Sequence, residues 1–583
     1  MSNVYEIASR LLSSIKLTSD NLGMNECYFR CAGRQHLDEL RAIEPQVIWG
    51  RRGTGKTTLL KAFTYDINSV SRDPSIISIY IVMAKIIPTG EEIRTITEDG
   101  SGLAVYVFSK IVYQISEELE KEFNNRSNTL ERYAEEKFTE AFCGLQDYID
   151  SYQKFVHGGE CSVDDSKSRE TKKEMSREGE LSGNFKLKIA SLLGKILKKK
   201  TNISTSKTGF SITGKLQFNL ETQMINKYIT NMLNALGVSL AYICLDEYSE
   251  MDKISEYSIQ SKVAQLIKQV FFKTPMFSVK IATVWNKTKL HSKGGTHIQG
   301  IEYTQDIFPG PDLDIMFMVD NIEVLGYFKE VLINAYFISV NATEKEKSAL
   351  ADYLVNEIFG EHCFNQIICG SQGVSRSFMI LVQRYLQKFI RIKNGKLKSI
   401  DVYEMIKQHY IEDVRYKISL AYSVYKSINT YVTDKQCRYF LITRSDYKRC
   451  NTIIKYLASR GLMMQIPGQN TDRRIRDDYK LFVIHYGSYL DALDVQKYKK
   501  ARKILELDAQ LDEDNSVIPK YDDELLSNPD KYTVVIPEDA ENEIVCSHCQ
   551  TFFIEKSTDL RIECPKCHTK MLRFEAFIDD VAI

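Results

Sequence analysis

The stretch Val47–Leu60, VIWGRRGTGKTTLL, decides the fold. Gly50, Arg51, Arg52, Gly53, Thr54, Gly55, Lys56 and Thr57 fit G-x-x-x-x-G-K-[ST] without a mismatch. The apolar run Val47–Trp49 predicts a short buried strand, and Thr58–Phe63 predicts the start of a helix. Glycines let successive amides turn towards phosphate oxygens, and a helix N-terminus adds a favourable dipole. Lys56 is therefore expected at the β- and γ-phosphates of ATP and the Thr57 hydroxyl on Mg²⁺, with Gly50 to Thr58 forming the cradle. A chance glycine turn is the competing reading, and the flanking strand and helix weigh against it.

Working outward, residues 75–87, SIISIYIVMAKII, are β-branched and apolar and predict a central strand. Residues 101–123 carry apolar residues at helical spacing. Residues 157–215 are polar and poor in apolar side chains, which predicts an insertion. Its basic stretch FKLKIASLLGKILKKK reads first as a packed arm with snorkelling lysines, and otherwise as a nucleic-acid clamp or membrane-surface helix. A helix ending at Gly237, the strand VSLAYICLDEYSEM, a helix, and the strand FSVKIATVWN follow. Strands alternating with helices imply a mostly parallel sheet covered on both faces. From 316 onward the pattern turns almost wholly helical, and 507–540 is acidic and reads as a linker.

Composition narrows the class. The chain has 583 residues, too many for one core, with 43% apolar and 26% charged side chains and zero formal net charge. No global field favours nucleic acid or membrane, so any such contact must be local. No run of 18 apolar residues occurs, and stable membrane insertion is not expected. Of 13 cysteines, four form one tight C-terminal pattern and the rest are scattered, which fits a reducing, cytoplasmic setting.

Four further residues complete a nucleotide site. The strand LAYICLDEYSE ends in Asp246, expected to hold Mg²⁺ through water, and Glu247, expected to polarise the attacking water. Asn286 ends the next strand and is placed to hydrogen-bond that water or the γ-phosphate, with Thr283 as a weaker candidate. Arg376, at a helix start after a glycine turn, is placed to reach the γ-phosphate from a lid. The bland readings are a solvated strand end, a turn asparagine and a surface arginine. The segment CAGRQHLDEL, 31–40, is a weak signal for a wall against the base.

The order AGRQHLDEL, GRRGTGKTT, ICLDEYS, VWNKTKL, GVSRSF resembles the AAA+ ATPases of the origin-recognition and initiator-loader branch and their bacterial relatives, over roughly residues 25 to 390. The resemblance implies that these segments are the base-binding segment, Walker A, Walker B, sensor one and sensor two. One departure stands out: no arginine occurs between Arg177 and Arg376, where ring-forming members place a finger for the neighbouring subunit. Lys287, Lys289 and Lys293 lack a guanidinium's planar fork, so either a lysine substitutes, or an arginine from elsewhere does, or hydrolysis is slow and not ring-coupled.

The C-terminal third adds two modules. Helix, strand, two helices, strand and wing follow in the order of a winged helix, which members of that family often carry. Between 434 and 480, 11 Lys or Arg face 5 Asp or Glu. Arg444, Lys448, Arg449 and Lys455, with Arg473, Arg474 and Arg476 on the wing, are candidates for DNA phosphates, against a protein-docking alternative. Cys546, Cys549, Cys564 and Cys567 form C-x₂-C-x₁₄-C-x₂-C, the spacing of a closed, structural Zn²⁺ site. His548 and His568 read as bystanders.

The expected fold is an α/β P-loop NTPase of AAA+ type with a mostly parallel sheet. The core spans 1–315 with the 157–215 insertion, the helical lid 316–400, the winged helix 401–506, the acidic linker 507–540 and the zinc ribbon 541–583. The expected function is an ATPase that couples nucleotide state to DNA binding and to recruitment or loading of a protein partner, with nucleotide-dependent homo-oligomers. The alternative is a STAND-like signalling switch, as in antiviral defence, whose C-terminal modules bind protein.

Overall fold

A strand fully buried on both faces needs partners on both edges, and the strand before the glycine turn has them. The computed structural model describes residues 2–20, 22–88, 101–156, 222–253, 259–284, 288–294, 297–314, 321–336, 344–392, 395–413, 415, 423–466, 478–493, 528–546, 551–555, 561–568 and 570–572. Strands β1 (Gln46–Trp49), β2 (Ile76–Val82), β3 (Leu240–Asp246), β4 (Phe277–Ala282) and β5 (Phe308–Asp312) form one sheet in the order β2-β3-β4-β1-β5. Every pairing in it is parallel. Parallel strands buried on both faces read as continuous apolar runs, which is why β2, β3 and β4 were legible.

Alternation sends neighbours to opposite faces. Ile48 packs with Leu59, Leu60 and Phe63 of the P-loop helix Lys56–Tyr65. Val47 and Trp49 join the other face, with helices Ser101–Arg126, Thr222–Ala235 and Gln260–Phe271. Each such fully buried aliphatic side chain contributes about 1.5–3 kcal/mol.

One local expectation is corrected and one strand went unread. The strand read over 75–87 stops at Val82, and Met83–Ile86 forms a helical turn. Val82 pairs with Asp246, the last residue of β3, so no partner remains beyond it. Strand β5, FPGPD, had no strand signal, because its two prolines cannot donate to a ladder. It is tolerated because it lies at the sheet edge, paired with β1 alone.

Helices Asn321–Tyr336, Glu344–Tyr353, Glu361–Ser371, Ser375–Ile392 and Ser399–Asp413 form the helical part. The N-terminal helix Ser2–Ser14, read with the core, instead buries Ala8 and Leu11 among them and stacks Tyr5 on Phe389 at 5.2 Å. The same apolar cluster continues into helix Ser423–Lys435, β6 (Tyr439–Thr443), helices Arg444–Arg449 and Asn451–Ser459, β7 (Met463–Gln465) and β8 (Tyr479–Ile484). These strands form an antiparallel sheet in the order β6-β8-β7.

The linker reading of 507–540 is corrected over its last part. Val534 N donates to Leu441 O at 2.9 Å, and Val534, Ile536 and Ala540 are buried in the same cluster. Acidic composition hid that apolar spacing. Two short hairpins end the described chain: β9 (Glu543–Val545) with β10 (Phe552–Ile554), and β11 (Arg561–Glu563) with β12 (Lys570–Leu572). The insertion at 157–215 and the rest of the acidic stretch lie outside the described residues.

Candidate functional site

The glycine turn leaves the carboxyl end of β1, where open α/β sheets place their ligands. Gly53 and Gly55 have φ of +88° and +107°, a region costly for any residue with a Cβ. A Cβ on Gly53 would also lie 2.9 Å from Arg376 Cβ, because the lid packs directly on the turn. Thr54 is buried and its Oγ1 donates to Arg51 O at 2.9 Å, closing the loop. Lys56 Nζ donates to Gly50 O at 2.6 Å and Arg51 O at 2.8 Å, so the ammonium sits inside the turn it serves. Thr57 and Thr58 line the cavity beside it. Burial pushes the Lys56 pKa down to about 8, against the opposing pull of Asp314 and Asp246.

Asp246 ends β3 at 2% exposure. Its carboxylate accepts from Tyr80 Oη at 2.7 Å and from Glu247 N at 2.9 Å. Burial, then the Asp246 charge, raises the Tyr80 pKa, so the phenol stays a donor. Glu247 follows with φ +58°, a strained value for a side-chain-bearing residue and one that concentrates at functional sites. Thr283 is buried at the end of β4, where its amide donates to Ile48 O at 3.0 Å, and it lines the same cavity. Asn286 lies outside the described residues.

A cavity of about 450 Å³ joins these groups to the lid and the N-terminal segment. Arg52, Gly53, Gly55, Lys56, Asp246 and Glu247 are among the residues that line it. Arg376 reaches the mouth, its Nε donating to Leu17 O at 3.2 Å and its amide to Gly53 O at 3.0 Å. The volume fits a nucleoside triphosphate, and Lys56, Thr57 and Asp246 form a donor set that suits one with Mg²⁺.

Residues 32–302 match the sequence model of a family described as ORC-CDC6-like. The likeness covers a little under half of the chain. No curated protein matches the chain. Among solved structures, the Aeropyrum pernix ORC2 protein in its ADPNP–ADP complexes is similar at 11% identity, over 83% of this chain and 93% of that one, with a TM-score of 0.26. Drosophila ORC bound to DNA is similar at 9% identity, over 84% and 90%, with a TM-score of 0.23.

Two further segments line the cavity, and the sequence singled out one of them. Cys31, Ala32 and His36 of CAGRQHLDEL line the cavity. Gly33 N donates to Glu330 Oε2 at 2.9 Å and Asn334 Nδ2 to Cys31 O at 3.0 Å, which fasten this wall to a lid helix. His36 Nδ1 lies 3.3 Å from Glu39, while its Nε2 is buried without a partner. The second segment, residues 16–20 with Leu22, had no motif. Lys61, on the P-loop helix, donates to Ser19 O at 2.7 Å, and to Asp20 O and Leu22 O at 3.2 Å.

Two further residues escaped the sequence reading. Asp314, buried just past β5, accepts from Arg51 N at 2.7 Å and Arg51 Nε at 2.8 Å. Gln372, in a left-handed turn, accepts from Arg51 through its carbonyl, and its Nε2 donates to Ile484 O on β8 at 3.2 Å. The glycine turn thus reaches the C-terminal sheet through one intervening residue.

The basic face is smaller than its composition implied. Arg449 donates to the carbonyls of Ile536, Pro537 and Glu538 and to Asp446 Oδ1, so it clamps the returning segment. In helix Asn451–Ser459, Ile453, Ile454, Tyr456 and Leu457 are buried, Lys455 is half-buried, and β9 packs against the helix. Arg444 and Lys448 are exposed. Arg473, Arg474 and Arg476 lie outside the described residues.

Cys546, Cys564 and Cys567 bring their sulfurs within 4.8 Å of one another, with Cys546 and Cys564 buried. Cys546 Sγ and Cys567 Sγ are 3.5 Å apart. That is far beyond a disulfide and near the roughly 3.8 Å set by tetrahedral Zn–S bonds of about 2.3 Å. The donor set fits zinc; Cys549 and His548 lie outside the described residues. His568 points to Glu563 at 3.0 Å with an exposed side chain, as a bystander would.

Proposed function

We propose that this AAA+ protein binds and hydrolyses ATP and uses the nucleotide state to set how its C-terminal modules meet DNA and a protein partner. The observation that carries this is the join at the glycine turn. Arg51 and Gly53 are bonded to Gln372 and Arg376, and Gln372 is bonded to β8, within one continuous apolar body of lid and C-terminal sheet. A body that rests on the phosphate-binding loop is sensitive to what the loop holds.

Lys56, Thr57 and Asp246 would hold Mg·ATP, and the metal when bound would neutralise charge on the phosphate oxygens. Glu247 takes a proton from water as its oxygen attacks the γ-phosphorus. The bond from that phosphorus to the β–γ bridging oxygen breaks, giving ADP and inorganic phosphate.

Affinity should follow the ionisation of Lys56. Its free-protein pKa is about 8 and triphosphate oxygens favour the charged amine, so binding raises that pKa and takes up a proton above pH 8. ATP affinity is expected to fall about tenfold between pH 7 and pH 9. Titration of a fluorescent ATP analogue across that range checks it, and a flat profile would mean Lys56 stays fully charged.

The C-terminal unit has the order of a winged helix, with Arg444, Lys448 and the wing as its basic groups. If it meets duplex DNA, log affinity must fall linearly with log salt, by about 0.9 per phosphate contact. We expect a slope near 3 or 4 for the full chain, halved by Arg444→Ala with Lys448→Ala. A second reading, the STAND-like switch, is favoured by the covered helix Asn451–Ser459 and the engaged Arg449. It expects no salt-dependent DNA binding, with ATP-driven assembly instead, read as particle mass. Among the described residues no helix is long and apolar enough to cross a membrane.

A further inference from the structure

Arg52 differs from its neighbour in the glycine turn. Arg51 is committed to Asp314 and Gln372, and braces the fold. Arg52 instead lies on the cavity wall with Lys56, Asp246 and Glu247 and pairs with one carboxylate, Glu250. Its side chain is 56% exposed, whereas Glu250 is 10% exposed. Glu250 belongs to the 3₁₀ turn Tyr248–Lys253 that directly follows Asp246 and Glu247, and its amide donates to Glu247 O at 2.9 Å. Arg52 is close enough to Lys56 that its charge helps lower the lysine's pKa. Arg376, whose backbone packs on Gly53, directs its Nε to Leu17 O instead.

An ion pair with one partner half in water is held weakly. A γ-phosphate entering beside Lys56 offers a more highly charged acceptor whose oxygens match a guanidinium fork. We propose that Arg52 is a catalytic cation supplied in cis, which leaves Glu250 for the γ-phosphate when a triphosphate binds and returns to Glu250 when phosphate departs. Arg52 stabilises the charge that builds on the γ-phosphoryl oxygens as the bridging bond breaks, without itself exchanging a proton. The chain's lack of arginine between 177 and 376 then has a physical counterpart, because the guanidinium comes from the loop itself. The switch also couples the turn after Asp246 to the presence of the γ-phosphate. This inference rests on the ATPase reading above.

The test compares the full-length protein with Arg52→Ala, Arg52→Lys and Glu250→Gln. It reads equilibrium binding of a non-hydrolysable ATP analogue and of ADP, both with Mg²⁺, and single-turnover hydrolysis of ATP. Arg52→Ala should cut hydrolysis about 100-fold or more. It should also weaken the analogue about tenfold while leaving ADP within about twofold, with Arg52→Lys in between. Glu250→Gln should act in the opposite sense and tighten the analogue several-fold, with ADP unchanged. Equal losses for analogue and ADP in both partners of the pair would overturn the proposal, because the pair would then only brace the turn. If Arg52→Ala fails to fold, Arg52→Lys and Glu250→Gln decide the same question. A wild-type chain that binds neither nucleotide overturns the ATPase reading itself, whereas wild-type binding without these triphosphate-specific shifts sinks only the role of Arg52.

Discussion

Replacing Lys56 by alanine is expected to weaken Mg·ATP binding about 100-fold, whereas Glu247→Gln keeps binding within about threefold and slows hydrolysis 100-fold or more. The two residues share a cavity but act on different quantities. Lys56 would supply a charge to the phosphates, and it ties Gly50 O to Arg51 O across the turn. Two charge-assisted hydrogen bonds at about 1.5 kcal/mol each give the 100-fold loss at the lower end of their range. Glu247 adds nothing comparable to ground-state binding. Glutamine matches its shape and tolerates the same backbone geometry at φ +58° about as well, but it cannot take a proton from water. Calorimetric titration with a non-hydrolysable analogue and single-turnover hydrolysis separate the two effects. Wild-type affinity in Lys56→Ala would refute the phosphate cradle, and wild-type turnover in Glu247→Gln would move the general base elsewhere.

What the sequence made legible follows from where physical constraint is local. The turn after β1 needs glycine where φ is positive, at Gly53 and Gly55, so its geometry could be read from a single window. Strands β2 to β4 were legible because burial on both faces leaves an unbroken apolar run. Asp246 stood out because a carboxylate closing such a run is costly to bury unless a cation or hydrogen-bond donors meet it. Tyr80, Asp314 and Gln372 were not found, because each acts through a partner far away in sequence: Asp246, Arg51 and both Arg51 and Ile484. No spacing rule encodes those pairings. Arg449 failed for the opposite reason. Charge counting assigns every exposed-looking cation to solvent, but this one satisfies three carbonyls of a segment almost ninety residues later. The N-terminal helix was misplaced because an amphipathic stripe says that a face is buried without saying against what.

The cysteine cluster carries the other large effect. Among the described residues, the apolar core beneath β9 to β12 consists of Ile544, Cys546, Ile562 and Cys564, with Phe553 and Cys567 against it. Two three-residue hairpins over such a core cannot offset their own ordering entropy, which is about 1–2 kcal/mol per residue for the backbone alone. Zinc held by thiolates contributes on the order of 10–16 kcal/mol to sites of this kind, which would make metal binding and folding of the unit one event. Cys564→Ser should therefore lower bound zinc from one per chain to nearly none, and speed amide exchange in β9 to β12 at least about 100-fold. Protection of β1 to β4 should not change. Segment 528–542 should stay docked as well, because Arg449 and Leu441 hold it independently of the metal. The exposed Cys143 supplies the control, since Cys143→Ser should leave both zinc content and exchange as they were. Elemental analysis with peptide-resolved exchange reads all of these on one sample. A zinc-free chain whose β9 to β12 amides remain protected would remove the metal from the fold, and the unit would then owe its order to packing of β9 against helix Asn451–Ser459 and to the bond from Ser423 N to Glu543.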